Sequence, residues 1–372
     1  MKRNIIFGLL IFSIGVFFSC GETSTGSDSN GNEPDPEDPI TEETTVAEDK
    51  INIENSLDNT IALLRGLENG EFLSTLETFV GASSGEFSSD DWVEDVFAGL
   101  EDFVDTQSIE NNYRFDFNAH SGVYVYNISN ENWSKASSSN NIVLEFPSSE
   151  NKSSNDLTLT ISDFSDVSVN LEGESYYLPN KIDILVEQDG VAIFHFDLNK
   201  LLYSNDPDLP LPTAIDLSLM MSPFTHTVSY SKNSSTNYAL DIGVLNGEDV
   251  VTGFQLEVEL AHDNYDNLEE EDIEKIKGSI KLTSDLTVQF DIDSGTLFSL
   301  NDPSETQINS LVNAEVLFKE VLIGELEYSE VEEDIMIVYK DGSSESSSRY
   351  YEDFLDQLET VFYSFTGDWV DF

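Results

Sequence analysis

The spacing of apolar residues changes along the chain from a helical period to a period of two. Between residues 51 and 106, apolar side chains recur every three or four positions in three groups separated by glycines. The third group is the clearest, because Ser88 and Asp91 can form a capping box before an apolar stripe that includes Trp92 and Phe103. The pattern therefore predicts three helices over residues 51–106.

From residue 113 to residue 340, apolar and polar residues alternate, as in strands with one buried face. The alternating runs cover residues 113–117, 142–146, 157–161, 182–186, 192–198, 215–221, 224–230, 238–245, 254–260, 280–282, 286–292, 314–323 and 335–339. Asp189-Gly190 and Asn246-Gly247 separate two pairs of these runs and are typical of hairpin turns. Short polar connections throughout imply a mostly antiparallel sheet.

The chain ends with another apolar stripe at helical spacing, over residues 348–363. The order of elements therefore predicts an α+β fold: N-terminal helices, a large, mostly antiparallel β-meander, and a C-terminal helix. A curved half-barrel over the helices is one arrangement of these elements. This order resembles the lipoprotein-carrier type of periplasmic fold, and the resemblance implies an apolar hollow between sheet and helices.

The first twenty residues have the composition of an export signal. Lys2 and Arg3 precede a fourteen-residue run, residues 5–18, that is apolar apart from one serine. Such a run is too short for a comfortable membrane span of ~20 residues and matches a signal-peptide core. The small Ser19 follows it, and then Cys20, the only cysteine of the chain.

This arrangement resembles the lipobox of bacterial lipoproteins, which implies cleavage before Cys20 and lipidation of its thiol. Phe17 stands where a leucine-like residue is usual, and Phe18 where a smaller residue is common. Such relaxed forms are similar to those of the Bacteroidota. The alternative is an ordinary secretory signal with a chance cysteine. A single cysteine also means that the chain forms no intramolecular disulfide.

Residues 20–50 contain ten acids, one base (Lys50) and three prolines, with almost no large apolar residue. They are predicted to form a disordered acidic tether. The domain plan is then a signal peptide at residues 1–19, the tether at residues 20–50 and a folded domain at residues 51–372. Three prolines near residues 205–212 favour either a sub-boundary or a long loop within one sheet.

A second resemblance lies at the start of the β-rich region. The run Gly122-Val-Tyr-Val-Tyr-Asn127, followed by Trp133-Ser-Lys135, Ile142-Val-Leu-Glu-Phe-Pro147 and Asn155-Asp-Leu-Thr-Leu159, resembles a segment of uncharacterised Bacteroidota lipoproteins. It covers about a tenth of the chain. The resemblance implies a location in the cell envelope and carries no catalytic role.

The net charge of the chain limits the classes of partner that it can bind. Residues 1–19 hold two of the 16 bases and no acid, so the mature chain has 14 bases, 73 acids and a net charge of −59. Such a surface repels polyphosphates, which excludes nucleic acid as a partner. Divalent cations and basic proteins stay compatible with it. With 24 Phe and 14 Tyr, the chain has the apolar area for a core.

Two motifs approach known catalytic patterns. Gly81-Ala82-Ser83-Ser84-Gly85 fits G-x-S-x-G, but that motif needs a strand-to-helix turn, and here it lies between two predicted helices. Residues 290–297 are close to the aspartyl-nucleophile loop of haloacid dehalogenase phosphatases, with one residue too many at Ser294. We therefore interpret the first as a helix connection, and Asp291 and Asp293 as the end of a strand, with Gly295 in the turn.

No metal or cofactor site is predicted. The four histidines, His120, His195, His226 and His262, form neither an H-x-x-x-H nor an H-E-x-x-H pair. The acidic stretch between Asp263 and Asp272 lacks the spacing of an EF-hand loop. It is interpreted as solvated loop charge.

These patterns favour a non-enzymatic lipoprotein that binds an apolar molecule or a protein partner. Lipid on Cys20 is expected to hold it to the outer membrane of the cell envelope, facing either the periplasm or the surface. The alternatives are a surface adhesin or structural scaffold, and an extracytoplasmic hydrolase. A hydrolase would need converging His, Ser or carboxylate groups of perturbed pKa in a polar cleft.

Overall fold

The structure is a computed structural model and describes residues 44–67, 114–149, 152–171, 174–204, 212–264 and 268–350, together with residues 352, 354 and 357. The helices in this part of the chain are α1 Val46–Leu67, α2 Phe117–His120, α3 Ser294–Ser299 and α4 Glu305–Leu311, with a 3-10 turn at Glu270–Asp272. Residues 348–350, 352, 354 and 357 are also helical. No helix among the described residues is long and apolar enough to cross a membrane.

The strands dominate the described chain. They are β1 Gly122–Asn127, β2 Asn132–Ser137, β3 Ile142–Phe146, β4 Leu157–Leu171, β5 Glu174–Gln188, β6 Val191–Tyr203, β7 Pro212–Met221, β8 Phe224–Lys232, β9 Asn237–Asn246, β10 Asp249–Leu260, β11 Ile273–Lys281, β12 Leu286–Ile292, β13 Val312–Phe318, β14 Val321–Ser329, β15 Asp334–Tyr339 and β16 Ser344–Ser346. They belong to one 16-stranded sheet in the order β2-β1-β3-β4 and then in sequence order to β16. Strands β1 and β3 pair in parallel.

The α+β class predicted from the sequence is wrong, because the fold is mostly β, with 57% of the described residues in strands and 18% in helices. The curved half-barrel over helices is one arrangement of that α+β fold, so it is rejected for the same reason. Of the three helices predicted for residues 51–106, the first corresponds to α1, and the others lie outside the described residues. The predicted C-terminal helix is described only as far as residue 357.

The strands are longer than their apolar runs, and this is one physical reason for the error. β4 and β5 have 15 residues each, whereas the alternating runs there cover five. The added half of β4 alternates again only from Val167, after the polar Asp163 and Ser165, and the added half of β5 has Tyr176, Tyr177 and Leu178 side by side, so neither extends its alternating run. A register shift between Ser162 and Ser165, with Asp163 at a positive φ of 49°, also interrupts the alternation of β4.

The chain divides into two compact units. Unit 1 comprises Met1–Asn69, Asn233–Gly243 and Glu248–Phe372, and unit 2 comprises Gly70–Lys232 and Val244–Gly247. The candidate sub-boundary near residues 205–212 therefore falls inside unit 2.

Helix α1 packs on the sheet of unit 1. Its Ile53 and Ile61 are 4% and 2% exposed, and Ile53 belongs to the same buried cluster as side chains from β12 to β15. The cluster around Ile53 contains Leu286, Val316, Ile323, Ile337, Tyr339 and Tyr350. Burying an aliphatic side chain of this kind contributes about 1.5–3 kcal/mol, so these contacts define the side of α1 that faces the core.

Helix α1 begins at Val46, inside the segment predicted as tether. Its start is a capping box: the Thr45 amide donates to the Glu48 carboxylate (2.8 Å), and the Glu48 amide donates to the Thr45 hydroxyl (3.4 Å). Residues 44–50 are therefore part of the folded domain. The acidic composition of residues 20–50 hides this signal, because Glu48 and Asp49 look like more tether charge.

In unit 2, the β5–β6 hairpin confirms the turn predicted from Asp189-Gly190. Both residues have positive φ, 50° and 80°, and Gln188 pairs with Val191 across a two-residue loop. In unit 1, the single run predicted over residues 314–323 is wrong. It is two strands, β13 and β14, joined by a turn in which Lys319 and Glu320 both have positive φ without any glycine.

The strand predicted at residues 113–117 is also wrong. Phe117 begins the short helix α2, whose N-cap Asp116 accepts a hydrogen bond from the Ala119 amide (3.1 Å). Phe115 and Phe117 alternate with polar residues because both rings pack on Phe164 of β4, with centroids 5.4 and 5.6 Å away.

Candidate functional site

Two of the residues or motifs singled out in the sequence lie outside the described residues. These are the predicted lipidation site Cys20 and the G-x-S-x-G stretch from Gly81 to Gly85.

The phosphatase-like loop at residues 290–297 is structural. Asp293 caps α3, its carboxylate accepting from the Thr296 amide (3.1 Å). Ser294 is fully buried and donates its hydroxyl hydrogen to the Ile273 carbonyl (2.7 Å). Asp291 ends its strand as predicted and pairs with Lys275 (3.1 Å). Gly295 lies within α3 and not in a turn, and a Cβ there would sit 3.2 Å from the Glu274 Cα.

The histidines are dispersed among the elements. His120 is buried and stacks on Phe115, with ring centroids 5.4 Å apart. His262 lies 3.2 Å from the Asp272 carboxylate, which also accepts from the Glu269 amide and so caps the 3-10 turn. No group of three His, Asp or Glu side chains in the described ranges is arranged to hold a metal ion.

One trio has the composition of a catalytic triad but the wrong order. The Asp183 carboxylate accepts from the Ser162 hydroxyl (2.9 Å) and lies 2.8 Å from His195 Nε2. A nucleophilic serine needs the imidazole between itself and the acid, so that the imidazole takes its proton. Here the acid lies between them, and the three groups form a cross-strand hydrogen-bonded set on β4, β5 and β6.

The opposite face of the same strands is apolar. Register places one row of side chains across β3 to β8, in the order Ile142, Ile161, Ile184, Phe196, Leu219 and His226. Ile142 is buried, and the other five are only partly buried. A contiguous apolar surface that stays partly exposed is typical of a binding face.

His226 is the polar member of this row. Its Nε2 is buried and has no hydrogen-bond partner. Burial lowers the pKa of His226, so the imidazole is neutral at pH 7, with one nitrogen as donor and one as acceptor. A buried polar atom without a partner costs about 1–3 kcal/mol, which makes this atom a place where a ligand hydrogen bond is favourable.

Unit 1 contains the densest polar cluster, which we call the Glu345 network: Lys50, Tyr339, Glu345, Arg349 and Tyr350. The Glu345 carboxylate accepts from Tyr350 Oη (2.5 Å), Tyr339 Oη (2.6 Å), Lys50 Nζ (2.7 Å) and Arg349 Nη1 (3.4 Å). The two tyrosine hydroxyls are 3.2 Å apart. One carboxylate thus joins α1, β15, β16 and the start of the C-terminal helix.

Burial and hydrogen bonds shift the pKa values of this network in opposite directions. Burial favours neutral Glu345, but the bonds from Lys50 and the two hydroxyls outweigh it and lower the pKa of Glu345. Burial, then the bond to Glu345, raises the pKa of Tyr350 to about 12. The same causes raise the pKa of Tyr339. The network is therefore a carboxylate held by neutral phenols and two cations.

The sequence contains no local signal for the Glu345 network. Lys50 lies in the predicted tether, and Glu345 lies in a serine-rich stretch between the last predicted strand and helix. Their separation of 295 residues is invisible to periodicity. The Thr45-x-x-Glu48 capping box is the one pattern that places Lys50 on a helix.

No protein-family model matches the chain, and no curated protein or solved structure is similar to it. The site is therefore interpreted from its own chemistry.

The tyrosines of the network predict alkaline sensitivity. Folding raises both pKa values above the ordinary 10.0, so the stability they contribute is complete below pH 10 and is lost as pH rises through about 12. A tyrosinate absorbance titration of the native protein should show a late-ionising fraction that Tyr350→Phe reduces. A single step near pH 10 for all 14 tyrosines would contradict the buried network.

Proposed function

We propose that this chain is a lipid-anchored protein of the bacterial cell envelope that binds an apolar molecule and catalyses no reaction. The anchor is supported by Cys20, which follows the apolar run of the predicted signal at once. The proposed location of the anchor is the outer membrane, with the domain facing the periplasm or the cell surface. Diacylation supplies the second membrane signal that stable anchoring requires.

The observation that carries the binding role is His226 within the apolar row of unit 2. Small-molecule sites are mostly apolar and contain a few placed polar groups. The partly buried row supplies the apolar surface, and the unpartnered Nε2 supplies one hydrogen-bonding atom. The ligand class we propose is a long apolar molecule with a single carboxyl or hydroxyl group.

A catalytic role has less support. Asp291 and Asp293, which the phosphatase pattern would use, have structural partners: Asp291 pairs with Lys275, and Asp293 caps α3. Asp183 separates Ser162 from His195. The hydrolase alternative therefore depends on residues outside these sets. The adhesin or scaffold alternative needs no ligand, and a binding measurement distinguishes it.

Replacing the lipidated thiol tests the anchor. Cys20→Ser should move the protein from the membrane to the soluble fraction and remove the mass of the acyl chains, because no other membrane signal is proposed. Ser24→Ala, in the same segment, is the matched control and should stay with the membrane. Membrane partition of Cys20→Ser at the wild-type mass would refute lipidation.

Replacing the row histidine tests the ligand site. The full chain should bind a fluorescent long-chain carboxylic acid, and His226→Phe should weaken that binding about tenfold, the equivalent of one hydrogen bond of ~1.4 kcal/mol. His195→Phe, on the opposite face of the sheet, is the control and should leave binding unchanged.

A neutral alkyl probe without the carboxyl group should bind wild type and His226→Phe equally. If neither probe binds the wild-type protein, the result would contradict the ligand site and favour the scaffold or adhesin alternative.

A further inference from the structure

The Glu345 network joins the N-terminal half of α1 to one short stretch of chain. Lys340 lies 3.3 Å from the Thr44 hydroxyl and 3.5 Å from the fully buried Asp49 carboxylate. Glu345 pairs with Lys50 (2.7 Å). These polar contacts to the beginning of α1 thus come from the loop after β15 and from β16.

Arg349 adds the last of these contacts. Its guanidinium lies 2.6 Å from Glu54 and 3.4 Å from Glu345, and it also stands over the ring of Tyr350 at 5.5 Å. Residues 44–54, which include the start of α1, thus form their ion pairs with residues 340–349.

The other half of α1 is held differently. Ile61 is buried in the core, and the Thr60 hydroxyl donates to the Leu282 carbonyl (2.5 Å). Packing and a hydrogen bond to the backbone do not depend on any one ion pair. The first half of the helix also buries Ile53, but in addition it carries three ion pairs, Lys50–Glu345, Lys340–Asp49 and Arg349–Glu54, in a chain of large negative charge.

We propose that the Glu345 network is a lock for the first half of α1, and that it opens while the sheet of unit 1 stays folded. Loss of the Glu345 charge leaves Lys50 and Arg349 without their shared partner and the two buried tyrosine hydroxyls with a weaker acceptor. Four bonds end on one carboxylate, so the lock opens as a unit.

Release of residues 44–54 from the domain would increase the distance that the chain can span between the domain and its proposed lipid anchor. Residues 44–54 extended span up to ~35 Å, at ~3.3 Å per residue, whereas the same residues docked as helix add nothing to the tether. This consequence rests on the proposed anchor at Cys20. The lock itself does not, so its test is independent of lipidation.

Amide hydrogen exchange in the full chain tests the lock. In Glu345→Gln, the amides of residues 46–54 should exchange at least about tenfold faster, while those of β10, β11 and β12 keep their wild-type rates. Asp291→Asn is the matched control, because it removes a carboxylate that pairs with Lys275 and Lys277 elsewhere in unit 1. It should leave α1 unchanged.

A second variant keeps the test usable if Glu345→Gln fails to fold. Arg349→Met removes a 56% exposed guanidinium and two of the ion pairs, and it should give a smaller acceleration over the same residues. Equal acceleration of α1 and the sheet, or none in α1, would overturn the proposal, since the network would then be part of one cooperative core or would hold nothing.

Discussion

Positive charge is scarce in this protein, and the described structure depends on where it is placed. The chain has 16 bases against 73 acids, so most carboxylates have no cation to neutralise them and repel one another. Among the described residues, nine bases form ion pairs with carboxylates: Lys50, Arg114, Lys152, Lys181, Lys275, Lys277, Lys319, Lys340 and Arg349. Three of them, Lys50, Lys340 and Arg349, form the pairs between α1 and residues 340–349.

The environment of each pair decides its contribution. Lys275 and Lys277 face Asp291 on an exposed part of the sheet, and such pairs contribute about 0.2–1 kcal/mol at most. Lys152 instead bonds Asp156, whose side chain is 5% exposed. Burial would raise the pKa of Asp156, but Lys152 and Ser148 outweigh it and lower the pKa to about 2. Glu345, 15% exposed, is the similar case in unit 1: burial opposes its charge, and hydrogen bonds from its partners outweigh that effect.

What the sequence predicts well is local. The β5–β6 hairpin follows from Asp189-Gly190, because those residues tolerate the positive φ that the turn requires. The turn at Lys319 and Glu320 also requires positive φ, but it lacks the glycine, asparagine or aspartate that usually indicates such a turn in a sequence. The added halves of β4 and β5 do not continue the alternating runs, so the strand content is underestimated and the predicted fold class is wrong. Charge composition assigns residues 46–50 to a tether, although a capping box begins a helix there.

The hydrogen bonds and ion pairs that join elements within each unit could not be predicted from the sequence, because the paired residues are far apart in the chain. His226 is foreseeable only as a strand histidine, and its place in an apolar row follows from the register of five strand pairs. A partly buried ion pair, Lys50–Glu345, holds α1 to the C-terminal edge of unit 1. A double-mutant cycle with Lys50→Met and Glu345→Gln measures this coupling directly by the free energy of unfolding. We expect a coupling free energy above ~1 kcal/mol, more than an exposed pair gives, and strictly additive effects would contradict it.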